Sequence, residues 1–409
     1  MKDGFIKAAS ASPVIKVADT EYNAQRVIET IKAADEMGVK MLVFPELVLT
    51  GCTCYDLTGH NVVLRGAKKA LLEVIAASEG VDMLVFVGLP IAVGSRLYSC
   101  AAAIYDGELL GLVPRENVRG TQFAEPADSY VEVEIDAEHV AVLSTDYVFT
   151  CAALPDLKVA AELGADIDVL VPPSVRHAQA GATVIAQLAS FPETVTSADE
   201  AELTLRSQSR RLHCGMIMAA PGKGESTTDN VFSGLCMIAE NGEILAASEC
   251  ENSMAVTELD VEYIVNTRRG SDDFDLDSDE YYEAVWGGEP VETELTRSYR
   301  KYPHLPANEA DLPTYCERML DIQVSGLVKR MQYAGLDHCV VGISGGVDST
   351  LAVMVSAMAV KKLGLPSTNV VACTLPCFGT SSRTKSNAIV VAEQIGAEVR
   401  VIDIGKSVY

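Results

Sequence analysis

The stretch Val340 to Thr350, Val-Val-Gly-Ile-Ser-Gly-Gly-Val-Asp-Ser-Thr, constrains its half of the chain more tightly than any other. A β-branched run leads to two adjacent glycines, and a helix-forming segment begins at Leu351. A buried strand feeding a tight loop and then a helix is the unit from which parallel sheets are built. The glycines let the backbone approach an anion closely, and the helix start offers unpaired N–H groups and the positive end of its dipole. The anion such a loop suits best is the pyrophosphate of a nucleotide. A plain Gly-Ser turn is the competing reading, and the neighbouring segments decide between them.

Those neighbours continue the pattern. An amphipathic helix over Thr314 to Tyr333 carries Leu320, Val324, Leu327, Val328 and Met331 on one face. After the loop, the sequence predicts a helix over Leu351 to Leu363, a strand over Asn369 to Leu375, a helix over Ser386 to Ile395 and a strand over Val399 to Ile404. That is a doubly wound parallel sheet with three strands, where such a nucleotide-binding domain normally has five or more, so residues 311–409 read as its N-terminal half. The loop lacks the G-x-x-x-x-G-K-[ST] spacing and its lysine. Its S-G-G-x-D-S pattern resembles instead the loop of ATP pyrophosphatases, which cleave ATP between the α- and β-phosphates and adenylate a carboxylate or carbonyl oxygen.

The 409 residues exceed one ordinary core, and 48% of them are hydrophobic, so two substantial domains are expected. In residues 1–260, strands are predicted over Phe5 to Ala11, Met41 to Phe44, Met83 to Leu89, Ala101 to Tyr105 and Met216 to Ala220. Helices are predicted over Asn23 to Met37 and Val62 to Ala77, which gives an α/β layered domain. Gly38, Gly51 and Gly88 are placed at helix ends and turns. Residues 261–310, centred on the acidic run Ser271 to Glu280, read as a solvated linker, with a surface arm docked on another subunit as the other reading. Apolar runs such as Met83 to Val93 contain a proline or fall well short of the roughly 20 residues that span a bilayer. With no leader-like N-terminus, the expectation is a cytoplasmic protein without a membrane partner. The 11 cysteines lack the paired spacing of a zinc cage and read as reduced thiols. A net charge of −25 argues against a nucleic-acid partner.

Taken together, these segments resemble the glutamine-dependent NAD synthetases, in which a nitrilase-like glutaminase precedes an ATP-dependent amide ligase. In the ligase half, Ile343 to Thr350 resembles the family's ATP loop, Thr374 to Ser381 its T-M-P-x-F-G-T-S strand end, and Arg383-Thr384-Lys385-x-Asn387-Ala388 its continuation. The helix Ile322-Gln323-Val324-x-Gly326-Leu327 fits the approach to the loop. The resemblance implies a nitrilase-like α/β sandwich followed by part of an ATP-binding domain. It also implies a large homo-oligomer that uses ATP as substrate with Mg²⁺. ATP would adenylate the nicotinate carboxylate of deamido-NAD and release pyrophosphate, and ammonia would then displace AMP. The implied ATP contacts are Gly342, Ile343, Ser344, Gly345, Gly346, Val347, Asp348, Ser349, Thr350 and Leu375, with Asp348 also placing Mg²⁺. Thr380 and Arg383 would contact deamido-NAD or form part of its loop.

The glutaminase half departs from its family. Nitrilase-like amidases use a Glu as general base, a Lys that stabilises the tetrahedral oxyanion and a Cys nucleophile. Phe44-Pro45-Glu46-Leu47-Val48-Leu49-Thr50-Gly51 closely resembles F-P-E-L-x-L-T-G, so Glu46 is the retained base. The family's V-P-K becomes Val113-Pro114-Arg115, and arginine is longer, planar and reluctant to lose a proton. The family's E-I-C-E-D-L-W-V-P-x-P-P-S aligns without a gap to Glu162 to Ser174, which puts Gly164 at the nucleophile, Ala165 at an acid and Asp168 at the tryptophan. Residues Glu116 to Phe123 lack the stretch that helps enclose glutamine. Ser197 stands where an arginine is expected, and Leu188 to Pro192 replaces a segment that offers a serine to glutamine. Cys151, in a loop-like context, and Cys214, at a helix end, are poor substitutes because neither holds the strand-end position facing Glu46.

The expectation is therefore an NAD synthetase whose retained glutaminase fold has a dismantled site and whose ligase takes ammonia, with glutamine a doubtful donor. The alternative is a pseudoenzyme or scaffold subunit that binds a nucleotide or an active paralogue. An active glutaminase with an unusual nucleophile is the third reading.

Overall fold

Two-residue alternation builds the first half of the molecule. In the strand Phe5–Ser12, Ile6 and Ala8 enter one apolar cluster while Ala9 and Ala11 enter another, as successive side chains on a pleated strand must. The strand Val184–Leu188 does the same, with Val184, Ala186 and Leu188 on one side and Ile185 on the other. The computed structural model describes residues 1–127, 130–249, 252–271, 274, 281–287, 290–376 and 382–405, excluding the side chains of 382–386 and 388. It divides into two compact units, Met1–Ser298 and Tyr299–Tyr409.

The first unit has two mixed sheets. One runs, in spatial order, Ser253–Asp260, Phe5–Ser12, Met41–Val43, Leu84–Val93, Arg96–Tyr105, Glu108–Pro114, Val140–Leu143 and Val131–Glu134. The other runs Glu243–Glu249, Leu235–Glu240, Gly215–Ala219, Val184–Leu188, Lys158–Leu163, Tyr147–Cys151 and Tyr282–Trp286. Their inner faces share one core, in which Phe86 from the first sheet meets Phe149 from the second edge to face at 5.4 Å. Helices Thr20–Glu36 and Asn61–Ala77 cover the outer face of the first sheet through Val27, Ile31, Leu71 and Val74. Helix Ser197–Arg211 covers the second sheet through Ala201 and Leu205. The result is the α/β sandwich anticipated from the sequence, in four layers.

Two expectations are corrected. Gly88 does not punctuate a turn: it lies inside the Leu84–Val93 strand, where an added Cβ would come within 2.4 Å of Pro45 O and Leu47 N. The missing side chain lets the segment carrying Glu46 lie directly on the sheet. Residues 261–310 are not linker throughout: two segments of them form regular elements of the first unit. Asp260 caps a helix Val261–Arg268 by accepting from Tyr263 N, and Tyr282–Trp286 pairs in parallel with Tyr147–Cys151. Trp286 is buried and donates its indole N–H to Phe149 O at 3.2 Å. The acidic composition concealed this edge strand, and the unit ends at Ser298. Most of the acidic run Ser271 to Glu280 lies outside the described residues.

The second unit carries a parallel sheet ordered Cys339–Gly342, Val370–Thr374, Glu398–Val401, with helices Leu312–Ala334, Val347–Lys362 and Ser382–Ile395. The alternation of strands and helices and the parallel direction are those the hydrophobic pattern predicts. Val324 and Met331 of the first helix join Val353, Val360, Val370 and Ala372 in its core. Among the described residues, no helix is long and apolar enough to cross a membrane.

The end of the first unit is fastened electrostatically. Arg297 donates to Glu240 at 3.0 and 3.2 Å and to Glu258 O at 3.0 Å, while buried Glu258 accepts from the backbone N–H groups of Thr296 and Arg297. Removing one partner of such a pair leaves a buried charge. Arg297→Ala is therefore expected to destabilise the first unit by about 3–5 kcal/mol in urea unfolding, and Arg297→Lys by clearly less. Equal, small losses for both would show that the pair contributes little.

Candidate functional site

Three residues that are far apart in sequence converge at the ends of three strands, two from the first sheet and one from the second. Glu46 follows the short Met41–Val43 strand and is 1% exposed; its backbone N–H donates to Ala189 O at 3.1 Å. The next residue, Leu47, sits at φ +57°, a left-handed conformation costly for a branched side chain and tolerated at over-determined sites. Arg115 follows the strand Glu108–Pro114, and its backbone N–H donates to Ser99 O at 2.8 Å. Gly164 follows the strand Lys158–Leu163, turns the chain at φ +54° and has its carbonyl held by Gln187 Nε2 at 2.9 Å.

The Arg115 guanidinium donates through Nη1 to both Glu46 oxygens, at 3.2 and 3.3 Å, and through Nε to Asn117 O at 2.8 Å. Ser99 Oγ donates to Glu46 Oε1 at 2.6 Å. Gly164 presents only backbone to this pair. An ideal Cβ placed on it would stand 2.5 Å from Glu46 Oε2 and 2.6 Å from Arg115 Nη1. Glu46 and Arg115 border a cavity of about 360 Å³, whose wall includes Cys52, Thr53, Phe123, Ser190 and Phe232. Residues 120–123, which lack the glutamine-enclosing pattern, nonetheless form part of that wall.

Thiols nearby are poorly suited to attack. Cys52 lines the cavity, but burial, Glu225 and Glu46 push its thiol well above the ordinary range, outweighing a backbone hydrogen bond that lowers it. Cys100 is fully buried and likewise raised by burial and Glu46. Cys151 is the last residue of the strand Tyr147–Cys151, not part of a loop, and is buried against Met1. Cys214 is buried below the start of the strand Gly215–Ala219, with its thiol pushed up to about 12 by desolvation.

Several supporting residues escaped the sequence reading. Ser99 and Gln187 are polar positions within apolar runs, and that contrast was the available signal; Asp166 lies in the aligned segment Glu162 to Ser174, at the family's aspartate. Asp166 accepts from the N–H groups of Leu163, Glu116 and Asn117 at 3.2, 3.1 and 2.6 Å, which ties the Gly164 turn to the segment after Arg115. Ser197 starts the helix Ser197–Arg211 and hydrogen-bonds Glu193 at 2.9 Å, while Asp168 is exposed.

In the second unit, Gly342, Ile343, Ser344, Gly345, Gly346, Val347, Asp348, Ser349 and Thr350 form one strand–loop–helix corner. Gly345 sits at φ +81° and Gly346 is the N-cap of the helix Val347–Lys362, which has no side-chain cap. Ser349 Oγ accepts from Ser344 N at 3.2 Å and donates to Gly346 O at 3.1 Å; Thr350 Oγ1 donates to the same carbonyl at 2.9 Å. The hydroxyls thus shape the loop, and the helix start stays open to an anion. Asp348 lies in the first helical turn, and Leu375 is 45% exposed just after the neighbouring strand. Thr380 and the side chain of Arg383 lie outside the described residues. Among the described residues, no group of three or more His, Cys, Asp or Glu side chains is arranged for a metal.

The carbon-nitrogen hydrolase family model matches residues 7–269, and the NAD synthase model matches residues 319–409. The chain is 32% identical over 421 residues to the glutamine-dependent NAD(+) synthetase of Mycobacterium tuberculosis, covering 98% of this chain and 62% of that protein. The Mycobacterium leprae synthetase matches at 32% over 420 residues with the same coverage. The chain thus spans about 62% of the length of the curated relatives it matches. Among solved structures, the Cytophaga hutchinsonii glutamine-dependent NAD(+) synthetase aligns at TM-score 0.55 and 16% identity, over 99% of this chain and 66% of that one. The Nesterenkonia sp. AN1 amidase, solved with an acetamide moiety on its active-site cysteine, aligns at TM-score 0.51 and 15% identity, over 66% of this chain and 96% of that one.

Beneath the Gly164 turn, Glu162 is fully buried, and burial and the nearby Asp166 push its carboxyl up to about 8. Burial pushes Asp166 up to about 6, against its three N–H donors. A carboxyl raised in the folded state stabilises below its unfolded value, and that stability is lost as pH rises through the folded value. Glu162 should therefore contribute a decline in unfolding free energy between about pH 4.5 and pH 8, opposed at the acid end by buried His177, whose pKa burial lowers to about 3. Glu162→Gln is expected to flatten that decline and to add on the order of 1–3 kcal/mol at about pH 8. An unchanged slope in pH-resolved urea unfolding would contradict the assignment.

Proposed function

The chain belongs to the carbon-nitrogen hydrolase family, and we propose that it serves NAD synthesis with an amidase site that no longer releases ammonia. The observation that carries this is Gly164: the position facing Glu46 and Arg115 has no side-chain atom to attack a carboxamide. Family amidases need a nucleophile there, and the thiols around the cavity are held protonated.

The second unit supplies the synthetic step. The open helix start at Gly346, with Gly345 and the Ser344, Ser349 and Thr350 groups, suits the pyrophosphate portion of ATP. The match of residues 319–409 to the NAD synthase model supports deamido-NAD as the acceptor. Its nicotinate carboxylate attacks the α-phosphorus of ATP, the bond to the β-phosphate breaks, and pyrophosphate leaves. Ammonia then attacks the acyl adenylate, AMP departs and the amide remains. The loop positions the phosphates and offsets charge as it develops on the leaving oxygens. Asp348 is the carboxylate available to Mg²⁺, which commonly binds one or two protein carboxylates together with substrate phosphates.

Steady-state assay of the full-length gene product with two nitrogen sources tests this reading. Ammonia is expected to sustain amide formation, and glutamine alone to support less than about a hundredth of that rate, since a missing nucleophile removes several kcal/mol of catalysis. Comparable rates with both would refute the dismantled amidase site.

A further inference from the structure

Losing the thiol is one defect of the amidase site, and the space that the thiol would need is a separate one. A Cβ on Gly164 would lie 2.6 Å from both Cζ and Nη1 of Arg115 and 2.5 Å from Glu46 Oε2, all far inside ordinary contact. The guanidinium is not free to swing away. Its Nε is held by Asn117 O and its Nη1 by Glu46, and the side chain is only 11% exposed. Asn117 is itself fixed by Asp166, so the obstruction is braced from the same turn that it blocks. Lysine carries the same charge on a single, compact ammonium without the planar fork.

We propose that Arg115 is a second lock on the amidase site: its guanidinium, together with the Glu46 carboxylate that it holds in an ion pair, fills the side-chain space at position 164. The proposal rests on the reading that this site makes no ammonia, and it adds that restoring a thiol alone does not reopen it. Gly164→Cys by itself stays inactive because the new side chain collides with the guanidinium. Arg115→Lys by itself stays inactive for want of a nucleophile. Together they rebuild the chemistry. The thiol proton passes to Glu46, and sulfur attacks the glutamine carboxamide carbon. The C–N bond breaks as Glu46 returns the proton to the departing nitrogen. Ammonia leaves, and water hydrolyses the thioester to glutamate.

A four-protein cycle of wild type, Gly164→Cys, Arg115→Lys and the double variant decides the matter, read by thermal unfolding and by glutamate release. The left-handed backbone at 164 penalises any side chain equally in both backgrounds, so the cycle isolates the guanidinium. Gly164→Cys is expected to lower Tm by several degrees in the Arg115 background and by less than half as much with Arg115→Lys. Glutamate release is expected to rise at least tenfold in the double variant over the other three proteins. Equal Tm losses in both backgrounds overturn the lock, as does glutamate release by Gly164→Cys alone at the rate of the double variant. If neither cysteine variant hydrolyses glutamine, the unfolding cycle still decides. Should Gly164→Cys fail to fold, Gly164→Ala adds the Cβ alone and carries the same comparison. Glutamate release by the wild type would instead refute the dismantled site and leave the unfolding cycle as the test of the lock.

Discussion

The first unit is organised around a buried ion pair. Glu46 and Arg115 lie at 1% and 11% side-chain exposure, where neither charge is well solvated and each depends on the other. Pairs of this kind are costly to assemble and costlier to break from one side. The surroundings supply what the pair needs. Ser99 donates to Glu46, Asn117 accepts from Arg115, Gly88 leaves room for the Glu46 segment against the sheet, and Asp166 clamps the turn that faces both. In a working amidase the same carboxylate would take and return a proton. In this structure it is paired with a guanidinium.

The second unit keeps an arrangement that suits its chemistry. A helix start without a side-chain cap is a liability in a purely structural element, since its first N–H groups lack partners. At Gly346 the uncapped end follows two glycines and is bordered by hydroxyls that bond within the loop. That combination is economical only where an anion completes it. The two units therefore differ: in one a guanidinium and a carboxylate crowd the position at Gly164, and in the other the helix start at Gly346 has no side-chain cap.

Much of this was legible in the sequence, and the reasons are specific. The strand–loop–helix corner at Val340 to Thr350 is local, so periodicity and glycine placement sufficed. Glu46, Arg115 and Gly164 were singled out by short contiguous motifs, and the structure brings them together from three strands far apart in the chain. The parts missed were set by tertiary contact. The edge strand Tyr282–Trp286 was hidden by acidic flanks and is held by Trp286 in the core. Gly88 looked like a turn glycine and is a packing glycine. The braces at Ser99 and Gln187 each appear in sequence as a lone polar residue, and their partners, like those of Asp166, are supplied only by the fold. The collision between Arg115 and any side chain at 164 has no sequence signature, because it depends on distances of a few ångströms.

The central claim is that no group in the cavity beside Glu46 forms a covalent bond to a carboxamide carbon. Intact-mass and peptide mapping after exposure to a glutamine analogue bearing a thiol-reactive electrophile measures this directly. The account predicts no glutamine-protectable adduct on any cysteine of residues 1–298. A stoichiometric adduct at Cys52 or another cavity thiol, blocked by excess glutamine, would contradict it.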